Sequence, residues 1–158
     1  MEQNTVTPAV MDQVKKKHDE FSEELALLQK ALPYIYEDKS FDDARKVMEF
    51  LEENIAEHFQ IEEHQLFSVA LVIGDLMIKK LVRELQKEHI DMLGEMDMIK
   101  EIILKLGFDI KRKEVRDEFV RISKNILDMI ILHARKEDEQ LFPFLSARGV
   151  NTDLERKK

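Results

Sequence analysis

The chain of 158 residues contains no cysteine and no tryptophan, and only 4 glycines and 3 prolines. Without cysteine there is no disulfide framework, no zinc–thiolate site and no thiol nucleophile. So few helix breakers, set among abundant Leu, Ile, Met, Glu and Lys, argue against a sandwich or barrel and for long helices. Long apolar runs are missing too. The longest, Leu66 to Ile73, falls far short of the roughly 20 residues that a membrane-spanning helix requires, so no membrane partner is expected. A net charge of −8 argues against a phosphate-backbone partner, because nucleic-acid binding needs a basic face to release counterions, and no nucleic-acid partner is expected. Met1 to Val10 carries neither a basic cluster nor an apolar stretch; no secretory signal is expected, and a cytoplasmic location is the expectation. What remains, 44% hydrophobic and 37% charged residues, suits a single domain over 1–158, with its ordered bundle over about 7–148.

Two stretches stand out from this plain background. His58-Phe59-Gln60-Ile61-Glu62-Glu63-His64-Gln65-Leu66-Phe67 and His133-Ala134-Arg135-Lys136-Glu137-Asp138-Glu139-Gln140-Leu141-Phe142 both read His-x-x-x-Glu-acidic-x-Gln-Leu-Phe. Positions four apart share a helix face, so each copy sets an imidazole beside a carboxylate. Each is preceded by one isolated histidine, His18 at 40 residues before His58 and His89 at 44 before His133. The arrangement reads as an internal duplication of two helical hairpins.

Apolar periodicity places these residues on four helices. The first starts at Thr7-Pro8, a capping side chain with proline in the first turn, and buries Val14, His18, Phe21, Leu25, Leu28 and Leu32. Pro33 to Lys39 forms the connection. Ser40 with Asp43 looks like the N-terminal signature of a second helix, whose stripe is Ala44, Met48, Leu51, Ile55, His58 and Glu62. Its end, at Phe67 or beyond, is left open; at Gly74-Asp75 glycine permits a turn and aspartate can cap the third helix. That helix lines up Ile78, Val82, Leu85, His89, Met92, Met96, Ile99, Ile103 and Leu106, with Gly107 as its stop and Asp109 as the next cap. The fourth aligns Val115, Phe119, Ile122, Ile126, Ile130, His133, Glu137, Leu141 and Phe144, and Pro143 kinks or ends it before a polar tail from Gly149 to Lys158. An all-α, up-down-up-down antiparallel four-helix bundle is the economical architecture. Counted from the hairpin turns, all four histidines can reach one layer.

One histidine on an apolar face is most often a hydrogen-bonded core residue. Four of them with two glutamates in one layer are different, because an uncompensated buried polar group costs a few kcal/mol and a carboxylate more. A pair of metal ions is the simplest common partner, and nitrogen and oxygen donors without thiolate suit Fe or Mn. His64, two residues after Glu62, is expected on the surface. Met92 and Met96 read as core filler, Tyr34 and Tyr36 as turn residues, and the Lys15 to Lys17 and Lys111 to Lys113 runs as solvated helix surface.

The ordered set His18, His58-x-x-x-Glu62, His89 and His133-x-x-x-Glu137 resembles the hemerythrin-like cation-binding domains, non-haem dinuclear iron proteins, from the first helix through Phe144. The resemblance implies two Fe ions, with Mn as the other candidate. It makes His18, His58, His89 and His133 terminal ligands, makes Glu62 and Glu137 bridges, and adds an oxo, hydroxo or water bridge. It also implies O2, NO or peroxide as small ligands. Oxygen-carrying members have His-x-x-x-His on the third helix, where this chain has Leu93 after His89; they also place aspartate five residues after the last histidine, a spacing that Asp138 fits. Glu137 is preferred because four residues keep a side chain within about 40° of its partner, while five swing it about 140° away. With one imidazole fewer than the carriers, the resemblance points to redox reaction, sensing or iron handling ahead of reversible oxygen storage. A ferritin-like oxidase would need Glu-x-x-His, and none of the 5 histidines has glutamate three residues before it. A histidine phosphotransfer bundle needs an exposed histidine, and a metal-free interaction module leaves the polar layer unexplained. A monomer or a homodimer is compatible with the pattern.

Overall fold

The computed structural model describes residues 8–106 and 113–147. Every regular element among them is helical, and no strand occurs. Helix α1 spans Pro8–Ala31 and runs into a single 3-10 turn, Leu32–Tyr34; α2 spans Asp38–Ile61. A π-helical turn, Glu62–Phe67, joins α2 to α3 at Ser68–Ile73, so the second helix continues well past Phe67. Then come α4, Leu76–Leu106, and α5, Lys113–Lys136, which passes through a second π-helical turn, Glu137–Leu141, into the short α6, Phe142–Leu145. The four long helices fit a four-helix bundle, with α1 packed chiefly on α2 and α4 chiefly on α5.

The apolar stripes are what hold these helices together, and each changes chemistry at its histidine. On one side lies a large cluster that includes Phe21, Leu28, Met48, Ile55, Met92, Ile99, Phe119 and Ile130; on the other lies a smaller one with Val14, Leu66, Phe67, Leu85, Leu141 and Phe142. His18 falls between Val14 and Phe21, His89 between Leu85 and Met92, His58 between Ile55 and Leu66, and His133 between Ile130 and Leu141. All four helices thus pass from one core to the other at the same polar layer. The stripes carry the expected burial, except that Ile78, Ile103, Val115 and Phe144 are only half-buried and the side chain of Leu106 lies outside what the structure describes.

The joins differ from expectation in instructive ways. The second helix starts at Asp38, not Ser40, and Ser40 sits inside its first turn. The reason is tertiary. Buried Arg116 of α5 donates from Nη1 to the Ile35 carbonyl at 3.0 Å and from Nη2 to Asp38 at 2.9 Å, with its guanidinium 4.7 Å from the centre of the Phe41 ring. At the next join Asp75 does cap α4, accepting from the Ile78 N–H at 2.9 Å. Gly74, however, has an ordinary extended backbone, with φ −79 and ψ 155. It is glycine for lack of space: a Cβ there would lie 2.5 Å from the Ala70 carbonyl oxygen and 2.7 Å from Ile78 Cγ2. Pro143 neither kinks a regular helix nor ends one, because it occupies the first turn of α6 after the π-helical turn. Thr7, Gly107, Asp109, Lys111, Arg112 and the tail from Gly149 lie outside the described residues. Among those described, no helix is long and apolar enough to cross a membrane.

Candidate metal centre

Six of the side chains singled out in the sequence meet in the polar layer. His18, His58, His89 and His133 are buried, and Glu62 and Glu137 have no solvent exposure at all. They form two overlapping groups of possible ligands, His18–His58–Glu62–Glu137 and His89–His133–Glu62–Glu137, each with its donor atoms within 4.8 Å of one another. Both carboxylates belong to both groups. Glu62 spans the layer: Oε2 lies 3.2 Å from His18 Nε2 and 3.0 Å from His58 Nε2, while Oε1 lies 2.9 Å from His89 Nε2 and 3.6 Å from His133 Nε2.

All four rings turn Nε2 inward, and for three of them the outward Nδ1 is held by a carboxylate. Asp138 meets His18 Nδ1 at 3.2 Å, Glu63 meets His89 Nδ1 at 2.8 Å, and Glu88 meets His133 Nδ1 at 2.8 Å. A carboxylate behind Nδ1 places the proton on that nitrogen and leaves the Nε2 lone pair free to face a cation, the usual arrangement behind a metal-bound imidazole. Aromatic rings fix the planes. Phe59 stacks on His89 at 3.8 Å between centroids and Phe67 lies 5.2 Å on, while Phe142 stacks on His18 at 5.6 Å.

The π-helical turns explain why each motif carries two acidic residues. Both turns begin at the buried glutamate, where an i→i+5 repeat widens the helix and re-aims the side chains beyond it. In a straight α-helix Phe67, nine residues after His58, would point about 180° away from it; here Phe67 and Phe142 are both in the core. Glu63 and Asp138 consequently stay within reach of the layer from outside, with side chains 33% and 50% exposed. Glu63 binds His89, and Asp138 binds His18.

A cation is what the layer lacks electrostatically. Glu137 Oε1 lies 3.1 Å from His18 Nε2 and Oε2 lies 3.4 Å from His133 Nε2, yet neither oxygen accepts a hydrogen bond, although both are buried. Two imidazole nitrogens, His89 Nε2 and His133 Nε2, face each other at 3.0 Å. Protons gather where cations would sit. Burial opposes charge on His18, but Asp138, Glu137 and Glu62 outweigh it and push the ring up to about 12; burial likewise loses on His133 to Glu137, Glu62 and Glu88, and that ring rises to about 11. Glu62 is held well below the usual carboxylate range, its burial outweighed by hydrogen bonds from the four histidines. Glu137 is raised, by burial first and then by repulsion from Glu62. A buried carboxylate with no hydrogen-bond partner, set among four converging nitrogens, fits a metal site.

Access is apolar. A cavity of about 250 Å³ opens beside His18, His58 and His133 and is lined by Phe21, Leu25, Ile55, Phe59, Met92 and Ile130, with Ser22, Arg135 and Glu139 among its remaining lining residues. Met92 and Met96 are core residues, Leu93 is half-buried against the larger cluster, and His64, Tyr34 and Tyr36 are exposed. The sequence reading missed Glu88, which bonds both His133 and Lys136. In the run Lys87-Glu88-His89 nothing separates it from ordinary solvated charge.

No curated protein and no solved structure gives a significant match. The family comparison is positive: residues 9–145 match the model of the hemerythrin HHE cation-binding domain, which covers most of the chain. Helical architecture, polar layer and family match agree, and the chain belongs to the hemerythrin HHE cation-binding domain family.

Proposed function

We propose that the chain is a non-haem diiron protein that binds O2, NO or peroxide at the His/Glu layer for redox reaction, sensing or iron handling. In this reading His18, His58, His89 and His133 are terminal ligands, Glu62 and Glu137 bridge, and the bundle is an antiparallel up-down-up-down duplication of two hairpins. The observation that carries it is Glu137, whose buried oxygens have no hydrogen-bond partner and belong to both candidate ligand groups. A metal-free interaction module would have discarded that carboxylate, since an apolar residue there would cost less. Nitrogen and oxygen donors favour iron, with manganese as the other candidate. The apolar cavity suits small, weakly hydrated ligands, and four imidazoles with two carboxylates leave coordination positions for them.

Bound iron would supply the redox chemistry. The chain's own part is to hold the imidazole planes, keep Nδ1 protonated and line the approach with apolar side chains. The test is reconstitution with ferrous iron without air, then metal analysis and exposure to O2. The expected result is about two iron atoms per chain with near-ultraviolet absorption of an oxo-bridged ferric pair; one or fewer after loading refutes the dinuclear reading. Glu62→Ala and Glu137→Ala should lose more iron than Glu63→Ala and Asp138→Ala. Greater loss with Asp138→Ala than with Glu137→Ala would assign the bridge to Asp138.

A further inference from the structure

The two halves of the layer are not built alike. His89 is clamped between Phe59 and Phe67 and held at Nδ1 by Glu63, and His133 is held at Nδ1 by Glu88, itself bonded to Lys136. Both imidazoles of that pair therefore have a carboxylate behind them at 2.8 Å. In the other pair, His18 has the more distant Asp138 at 3.2 Å, and that side chain is half-exposed. For His58, no carboxylate hydrogen bond to Nδ1 occurs among the described residues. The residue that precedes His18, where Glu88 precedes His89, is Lys17. Lys17 lines a cavity of about 120 Å³ beside His58, together with Glu57, and pairs with Glu20 at 2.9 Å, so the residue at that position supplies His58 with no carboxylate of the kind that Glu88 supplies to His133.

A carboxylate behind a ligating imidazole raises its basicity and fixes its plane, and losing one typically costs 10- to 100-fold in metal affinity. Resting on the dinuclear reading above, we propose that the two metal positions are unequal. The position built on His89 and His133 is the tight, structural one, and the position built on His18 and His58 is the weaker, exchangeable one. Location supports the assignment. Both imidazoles of the weaker pair, His18 and His58, line the larger apolar cavity and His58 the smaller one too, whereas of the other pair only His133 lines the larger cavity and His89 lines neither. The metal that exchanges is thus the one with both imidazoles at the openings.

Metal-free protein titrated with Co(II), read by visible absorption and calorimetry, tests this without reference to activity. Wild-type protein should bind in two steps at least about tenfold apart. Glu88→Gln should weaken the tight step about 10- to 100-fold and leave the weak step unmoved, while Asp138→Asn should weaken only the weak step. Lys17→Glu should strengthen the weak step and narrow the gap. Two ions entering with equal affinity, or Glu88→Gln and Asp138→Asn acting on the same step, would overturn the proposal while leaving the dinuclear reading standing. Uptake of a single ion would sink the dinuclear reading itself.

Discussion

Replacing either buried glutamate with methionine should abolish the proposed paired metal site, yet in metal-free protein the two substitutions should move stability in opposite directions. Glu62 accepts from the whole layer, with four imidazole nitrogens between 2.9 and 3.6 Å from its oxygens. Removing one partner of a buried, hydrogen-bonded charge network costs about 3–5 kcal/mol. Glu137 is the reverse case: its oxygens are buried and accept no hydrogen bond, and burial with repulsion from Glu62 already raises its pKa. Leaving such a group buried costs about 1–3 kcal/mol, part of which is offset by attraction to His18 and His133; Glu137→Met should therefore recover about 1–2 kcal/mol. At about 2–4 °C per kcal/mol for a chain of this size, metal-free Glu137→Met should melt about 2–8 °C higher than wild type, and Glu62→Met about 6–20 °C lower. Loading reverses the first ranking. A ligand at a hundred times its Kd adds about 2.7 kcal/mol to the wild type, and neither variant should gain as much. The assay is calorimetric melting at neutral pH, once with chelator and once with saturating iron or cobalt. If metal-free Glu137→Met falls as far as Glu62→Met, its carboxylate is satisfied by the protein alone and the central argument for a cation fails.

Three further perturbations test other parts of the structure. Arg116→Ala removes two charge-assisted hydrogen bonds and a ring contact that tie α5 to the start of α2; urea denaturation should show a loss of about 2–4 kcal/mol, and a loss below about 1 would show that the clamp contributes little. Gly74→Ala places a methyl 2.5 Å from the Ala70 carbonyl oxygen and should cost about 1–3 kcal/mol in the same assay. Were its requirement a left-handed backbone instead, Gly74→Asn would be tolerated; the backbone is extended and the crowding meets any Cβ, so Asn should be rejected as well. Leu93 stands one turn beyond His89, half-buried against the larger core, where the oxygen carriers have another imidazole. Wild-type diferrous protein should oxidise within a few oxygenation cycles and Leu93→His more slowly; repeated reversible oxygenation of the wild type would return oxygen storage to first place.

The parts of this protein that were legible in its sequence are those governed by the local helical repeat. His18, His58, His89, His133, Glu62 and Glu137 all occupy core positions of a 3.6-residue stripe, and all are buried in one layer. What the repeat could not show was any property set by a neighbouring helix. Ser40 with Asp43 is a sound capping signature, but Arg116, 78 positions beyond Asp38, fixes the helix start earlier. Gly74 looked like a turn residue because the crowding from Ile78 exists only once α4 has packed. The choice between Glu137 and Asp138 was posed for a straight helix, in which one of them had to point away.

The π-helical turn removes that exclusion, and with it the reason to rank one acidic residue as functional and the next as surface. Glu137 enters the centre while Asp138 reaches His18 from outside, and Glu62 and Glu63 divide the work in the same way. A pattern of inner donors tells which chemistry is possible, because it fixes the number and kind of atoms that face a cation. How tightly each ion is held depends on the groups behind the imidazoles, and those residues come from other helices with no periodic signature. Glu88 and Lys17 make the point: both are charged residues immediately before a layer histidine, and neither is distinguishable in sequence from solvent-facing charge. One bonds His133 and the other lines the cavity beside His58. The behaviour that separates this chain from another with the same six donors is therefore set in the ring of charges around the donors, where a single substitution can change one half of the site and spare the other.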